Sequence, residues 1–558
     1  MTTPSLSNQA LDRQTLLLCV SSCALLFAVT AFSPQGLSFY DPVVQLLGLQ
    51  QYLQGTSPSW NVFVRVDPAD LSHDLREWIA WWPPSTVLAA APLMWLGFSA
   101  GVSLRLVVCV SIMAGAIGWT RWWRRFALPR SWILAFACAV PWLRFASTNL
   151  FRFSQEVFVF ASAPWLFLMF AGLVRHGSRE RRGGWSIWLC AGLLAGSVYW
   201  LKYSAIVAVV GLIIGLAAWM WRTSQPSQSP ALMTHFRLAA LAAGGAVAPL
   251  ALRTWNGLHA AIDPLDAALK WDPMSLVFAV SHPALAAADA FGPFTYGLVS
   301  PGVYPFGGWT MNGLGWLGLS GGVVMLGLVI KANRRPEAEV GAFLASVSLA
   351  VTIGVLSVLW IASNVDHFPR HFAAPSMAAL PAVLAEGRRS YRAAQKPLRL
   401  MLSMTAAIYV MLPFAFGVPF VAGKMWSARA VRPAETGLAL TSLGHADASA
   451  AVSRLLESWS PDSVWVLEDP EMALELPGRI LPAMAGRSIA EDIRPDQRRF
   501  AGRPLRTTKP IDVLVVGHGE APPAITRRFE APVSWQRRAI DDEGLAVWVA
   551  RVPASVTQ

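Results

Sequence analysis

The chain has 558 residues, 54% hydrophobic and only 14% charged, with a mean hydropathy of +0.44. A soluble domain carries about 25% charged residues, so a soluble enzyme, a disordered chain and a fibrous protein are excluded. The net charge of +12 is distributed unevenly: residues 1–424 hold 29 Lys and Arg against 16 Asp and Glu, and residues 425–558 hold 16 against 17. A nucleic-acid binder needs a basic face on a folded soluble domain, and the near-neutral C-terminal part offers none.

The first apolar run, roughly 14–32, reads as an uncleaved span. A polar and aromatic stretch follows over 33–82. Inside it, Val43 to Leu53 is amphipathic and is expected to lie along the membrane surface. The stretch 83–119, with Gly101, Ser103 and Arg105 in its middle, reads as one net crossing plus an interfacial or re-entrant piece. Runs of spanning length recur near 131–148, 156–174, 185–201, 204–221, 236–253, 313–330, 338–361, 370–386 and 398–421.

The basic residues cluster in short gaps between these runs: Arg121 to Arg130, Arg175 to Arg182, Lys331 to Arg335 and Arg388 to Arg399. Such loops stay cytoplasmic. The resulting topology has about 11 crossings (10–13 at the limits), the N-terminus inside and the C-terminus outside an inner (plasma) membrane. Eleven of the 16 carboxylates before residue 425 then fall outside, although the rule counts only Lys and Arg.

From about 425 the texture changes. Ser463 to Leu467 and Ile511 to Val516 read as strands, and Val533 to Val552 as two strands around a turn at Asp541–Gly544. The expected fold is an α-helical polytopic membrane protein with a small C-terminal extracytoplasmic α/β domain, divided as 1–424 and 425–558. Cys19, Cys23, Cys109, Cys138 and Cys190 all sit in apolar runs, as packing residues.

Function should sit on the outer loops. Loop 33–82 begins with Asp41-Pro42 and closes with Trp78, Trp81, Trp82, Pro83 and Pro84. A second outer turn holds Asn149, Arg152, Gln155 and Glu156. Lys202 lies between two spans, loop 254–312 is rich in Gly, Pro and aromatics, and Arg370 follows Pro369. Acid and base at one membrane face suit a lipid-linked phosphate substrate. A carboxylate takes the acceptor's proton, and Lys or Arg holds the departing phosphate.

On these features the chain resembles the GT-C superfamily of integral-membrane glycosyltransferases, in the branch with protein O-mannosyltransferases and aminoarabinose transferases. The matching residues are Asp41 soon after the first span, Pro83-Pro84, Arg152 with Glu156, Lys202 after a Gly-rich span (Gly192, Gly196), and Arg370 near Pro375. The resemblance implies a polyprenyl-phosphate sugar donor and a glycan, lipid or protein acceptor, with Asp41 as general base. Glu156 would be a second acid or a metal contact. Lys202 and Arg370 would hold the phosphate, Arg152 would contact substrate, and Trp78, Trp81 and Trp82 would stack on sugar. Pro42 stands where many relatives have a second acidic residue, and Trp82 where Lys commonly precedes Pro-Pro. No cofactor is named by the sequence, and a divalent metal is left open.

Blander readings stand beside these. Asp41 can cap a helix with Pro42 at its first position, Lys202 can snorkel, Glu156 can simply open a span, and Asp67, Asp70, Asp74 and Glu77 read as a solvated loop face. Two other functions remain as alternatives: a transporter or flippase, for which Arg105 is the charge nearest a mid-membrane position, and a non-catalytic envelope-assembly protein.

Overall fold

The computed structural model describes residues 6–37, 40–80, 82–177, 185–223, 231–259, 313–335, 339–362 and 369–393. Beyond 393 it describes 436–438, 462–467, 473–475, 478–484, 487–488, 504–518, 524–529, 533–540 and 545–555, with single residues or pairs elsewhere. The expected span over 398–421, most of loop 254–312 and the turn at 541–544 lie outside the described residues.

The chain is a polytopic helical membrane protein. Among the described residues, seven helical stretches are long and apolar enough to cross a bilayer. The first helix, α1 (Leu6–Thr30), leads through the two-residue strand β1 (Gly36–Leu37) to α2 (Tyr40–Leu53). Stretch 83–119 divides as the charge argument requires. The helix α3 (Ser85–Trp95) is 11 residues, too short to span, and α4 (Ala100–Trp123) is 24. The Ser99 side chain caps α4 by accepting from Val102 N at 3.4 Å.

The run expected at 131–148 is not one straight helix. Pro141 sits in a 3-10 turn, Val140–Trp142, between α5 (Arg130–Ala139) and the single turn α6 (Arg144–Ser147). Proline removes a helical donor and breaks the ladder. The chain then forms strand β2 (Arg152–Phe153) and starts α7 (Glu156–Gly177). The remaining bundle is α8 (Trp185–Ser197), α9 (Ala205–Thr223), α10 (Ala231–Leu258), α11 (Gly313–Asn333), α12 (Val340–Ala362) and α13 (Ala373–Ala393).

Small residues let α8 and α10 approach closely. A Cβ on Gly192 would come within 2.2 Å of the Leu241 carbonyl oxygen, and one on Gly196 within 2.3 Å of Gly245 O. Three tryptophans, Trp119, Trp122 and Trp188, are fully buried. The Trp119 and Trp122 indoles donate to Phe160 O and Ala378 O at 3.1 and 2.9 Å. Tryptophan here therefore builds the bundle interior.

Two expectations for 33–82 are corrected. Residues 42–49 of α2 are all buried within the protein, so α2 is a core element and not a helix resting on the membrane surface. Residues 62–67 and 70–78 form an antiparallel hairpin, β3 and β4. Its acidic residues are not a solvated loop face. Glu77 pairs with buried Arg65, and Asp74 meets Arg479 at 2.9 Å.

Strands near 463–467, 511–516 and 533–552 appear where the sequence places them, and two more, at 479–484 and 487–488, are not among those expected. They are β5 (Val464–Leu467), β6 (Arg479–Met484), β7 (Arg487–Ser488), β8 (Ile511–His518), β9 (Gln536–Ala539) and β10 (Leu545–Val552). Their order in the sheet is β7-β6-β5-β8-β10-β9, parallel at β6-β5-β8 and antiparallel elsewhere. Val66 and Leu71 of the hairpin pack into the same core as Val464, Val466, Val513 and Trp548. The sheet thus docks on one end of the bundle, hereafter the hairpin end. All five cysteines are free thiols.

Asp70 fastens this junction. Its carboxylate accepts from Ser72 N and Thr508 N, both at 3.0 Å, and from the Ser72 and Thr508 hydroxyls at 2.8 and 2.9 Å. Burial pushes the carboxyl up, but these bonds outweigh burial and hold it well below the usual carboxylate range. A depressed folded-state value makes the contribution complete above the unfolded value of about 4 and progressively lost as pH falls below it. Hydrogen exchange at residues 70–74 is expected to rise on acidification through that range, and Asp70→Asn to remove the acid dependence.

Candidate active site

The site begins with a backbone pairing. Strands β1 and β2 run parallel, with Gly36 opposite Arg152 and Leu37 opposite Phe153. Each strand leads within three residues into a helix, α2 from Tyr40 and α7 from Glu156. Two helix N-termini, each with partial positive charge, therefore start side by side. The Arg152 guanidinium Nε donates to Leu37 O at 3.4 Å, bridging the same two strands.

Arg105 secures the approach to this pairing. It donates to Thr30 O and Ser33 O, where α1 ends, and to Leu150 O at 3.3 Å. Its role is to satisfy carbonyls left over at a helix C-terminus. It sits one to two turns into α4, at the hairpin end, so it is not a mid-membrane charge of the kind a transport path needs.

Glu156 and Lys202 form an ion pair, with side chains only 12% and 14% exposed. They line one cavity together with Phe145, His371 and Pro375. The 3-10 turn Pro369–Phe372 places the backbone of Arg370 next to His371 at this cavity. Lys202 lies in the tight link between α8 and α9, after a 3-10 turn at Val198–Trp200. Next to it, the Tyr203 hydroxyl donates to Ala80 O at 2.8 Å, which fixes this link against the segment leading into Pro83-Pro84.

The structure thus brings Glu156, Lys202 and the 369–372 turn together, with Arg152 one strand away. Trp81 and the side chains of Asp41 and Arg370 lie outside the described residues. Trp82 is partly buried against the core. Trp78 belongs to an aromatic group that was not legible in the sequence. It stacks on His259 at 3.5 Å and meets Trp255 edge-on at 4.8 Å. Its indole donates to Asn256 at 3.0 Å. Trp60 and Trp200 flank Trp255 at 5.5 and 6.0 Å.

Sequence reasoning also missed how many amides build this end. The Gln35 amide donates to Asn149 O at 2.9 Å, and the Asn149 side-chain oxygen accepts from Ser154 N at 3.1 Å and its hydroxyl at 2.9 Å. Asn61 donates to Ile79 O at 3.0 Å. The available signal is a lone Gln or Asn inside an apolar run. Among the described residues no group of three or more His, Cys, Asp or Glu is placed to hold a metal ion.

The sequence matches no family model and no curated protein. The fold is similar to ArnT from Cupriavidus metallidurans bound to undecaprenyl phosphate, at 12% identity and TM-score 0.44, covering 96% of this chain and 97% of that one. The apo state of the same protein gives 13% identity and TM-score 0.47, with the same coverage. A third similar structure is the archaeal oligosaccharyltransferase AglB from Archaeoglobus fulgidus in complex with an inhibitory peptide and a dolichol-phosphate. It gives 12% identity and TM-score 0.42, covering 90% of this chain and 69% of that one. At such identities no residue's role is carried over from them.

Removing one partner of a largely buried ion pair leaves the other charge uncompensated. Lys202→Met is expected to destabilise the protein by about 3–5 kcal/mol, read as a lower thermal midpoint in detergent. The double variant Glu156→Gln/Lys202→Met should recover most of that loss.

Proposed function

We propose that this protein transfers a sugar from a polyprenyl-phosphate-linked donor to an acceptor at the outer face of the inner membrane. In this reading the hairpin end is the extracytoplasmic end, the N-terminus is cytoplasmic, and residues 425–558 form the outer domain. The observation that carries it is the Glu156–Lys202 pair inside a cavity shared with His371, beside Arg370.

A lone cation in such a place would be costly, and the carboxylate compensates it. A lipid phosphate offers more negative charge and more acceptor oxygens than one carboxylate, so it competes for Lys202. Arg152, four residues before Glu156, and Arg370, next to His371 in the chain, are the further donors in this reading. Glu156 is then released to act as a second acid or to help orient the acceptor.

Asp41, in the first turn of α2, takes the proton from the acceptor hydroxyl. The acceptor oxygen bonds to the anomeric carbon while the bond from that carbon to the phosphate oxygen breaks. The electron pair leaves on the polyprenyl phosphate, and the cations stabilise its developing charge. Attack opposite the leaving group inverts the anomeric centre. Trp78, Trp81 and Trp82, which lie just before Pro83-Pro84 in the chain, are the aromatic residues assigned to the sugar in this reading. The lipid class is the one named with two of the similar structures, undecaprenyl phosphate and dolichol-phosphate.

The test is transfer by the purified protein in liposomes, from a panel of undecaprenyl-phosphate-linked pentoses and hexoses. Asp41→Asn is expected to lower turnover about 100-fold or more while still binding undecaprenyl phosphate. Full activity of a folded Asp41→Asn protein would remove the base assignment. Movement of lipid-linked sugar between leaflets without transfer would replace the enzyme reading with transport.

A further inference from the structure

Three segments of the proposed site meet at one buried carbonyl. The Gln45 side-chain amide donates to Pro83 O at 2.6 Å, and the Gln155 amide donates to the same oxygen at 3.2 Å. The Gln155 nitrogen also lies 3.3 Å from Gln45 Oε1 and 3.4 Å from the Thr86 hydroxyl. Gln45 is 0% exposed, Gln155 4% and Thr86 0%.

Such a cluster is costly to build. Each glutamine loses about 1.5–2 kcal/mol of rotamer freedom when buried, and an unsatisfied amide is penalised further. An apolar residue at 45 would suit the rest of α2, where Val43, Val44, Leu46, Leu47 and Leu49 are all buried. The amides instead give two donors to one carbonyl, which has two lone pairs to receive them. Helix geometry puts positions 41 and 45 on one face of α2, one turn apart. Gln155 immediately precedes Glu156 at the start of α7.

We propose that Gln45 and Gln155 are positioning residues, which clamp the first turns of α2 and α7 to the Pro83 carbonyl and so fix the separation of Asp41 and Glu156. The proposal rests on the catalytic reading of those two carboxyl residues. Neither glutamine touches the reacting atoms. The pair acts as one unit, because both amides grip the same oxygen and each other.

Gln45→Met and Gln155→Met keep the length of the side chain and remove its donors. Each is expected to lower kcat for transfer from the undecaprenyl-phosphate sugar about 10-fold or more, since small misplacements of reacting groups are costly, with KM within about 2-fold. The double variant should be no worse than the worse single variant, as for residues acting as a unit. Gln155→Asn, which keeps the amide with a shorter reach, should recover part of the loss. Hydrogen exchange should rise in the first two turns of α2 and α7 and stay unchanged in β8 and β10. Wild-type kcat in folded single variants overturns the proposal, and so does a loss accompanied by faster exchange throughout the chain. If the wild-type protein transfers no sugar, the functional reading falls. Exchange then decides the clamp alone: a local rise supports it, and an unchanged pattern overturns it.

Discussion

Backbone groups that water cannot reach must find partners inside the protein. At the hairpin end of this molecule that constraint organises everything else. Helices stop there, a proline interrupts the third apolar run, and two consecutive prolines bring the chain back toward the membrane. Each of these events strands carbonyls. Arg105 takes the leftover carbonyls of α1, Gln35 that of Asn149, Tyr203 that of Ala80, and Gln45 with Gln155 that of Pro83. The candidate site lies next to these turns in the chain, with Glu156 after Gln155 and Lys202 before Tyr203. Its precision comes from side-chain amides more than from regular secondary structure.

Charge is handled differently at the two ends of the bundle. At the far end, buried Glu386 receives Arg335 at 2.7 Å, Arg389 at 3.5 Å and Lys331 at 3.7 Å. Several cations there share one carboxylate, which ties α11 to α13 and leaves a basic surface. At the hairpin end, Lys202 and Glu156 form an ion pair that lines a cavity. The first arrangement is a lock. The second places an ion pair on the wall of a cavity, where the proposed phosphate would compete for the cation. The sheet domain joins the hairpin end through Asp70, Asp74 and Gln50, the last donating to Leu474 O at 3.1 Å. Docking of the sheet therefore also stabilises the hairpin that carries Trp78.

Several parts of this picture are legible in the sequence for clear reasons. Apolar runs and basic gaps mark the spans, because a bilayer sorts residues by hydropathy and charge. Glu156 and Lys202 stand out as charges at the ends of such runs. Strands Val464–Leu467 and Ile511–His518 show β-branched density against a polar background. Other parts are hidden. The hairpin at 62–78 carries Arg65, which looks like a solvated charge but is buried against Glu77. The burial of α2 on all sides depends on the sheet and hairpin that cover it, and no periodicity within Val43 to Leu53 reports that. The convergence of Gln45 and Gln155 on Pro83 joins residues far apart in the chain, so local patterning has no access to it.

The central claim is that Lys202 exchanges the Glu156 carboxylate for a lipid phosphate. A structure of the protein in a lipid nanodisc with undecaprenyl phosphate tests it most directly. The account predicts the phosphate at hydrogen-bond distance, about 2.8 Å, from the Lys202 ammonium, with Glu156 turned away and the prenyl chain leaving between helices. An intact Glu156–Lys202 pair, with the phosphate bound elsewhere on the molecule, would contradict it.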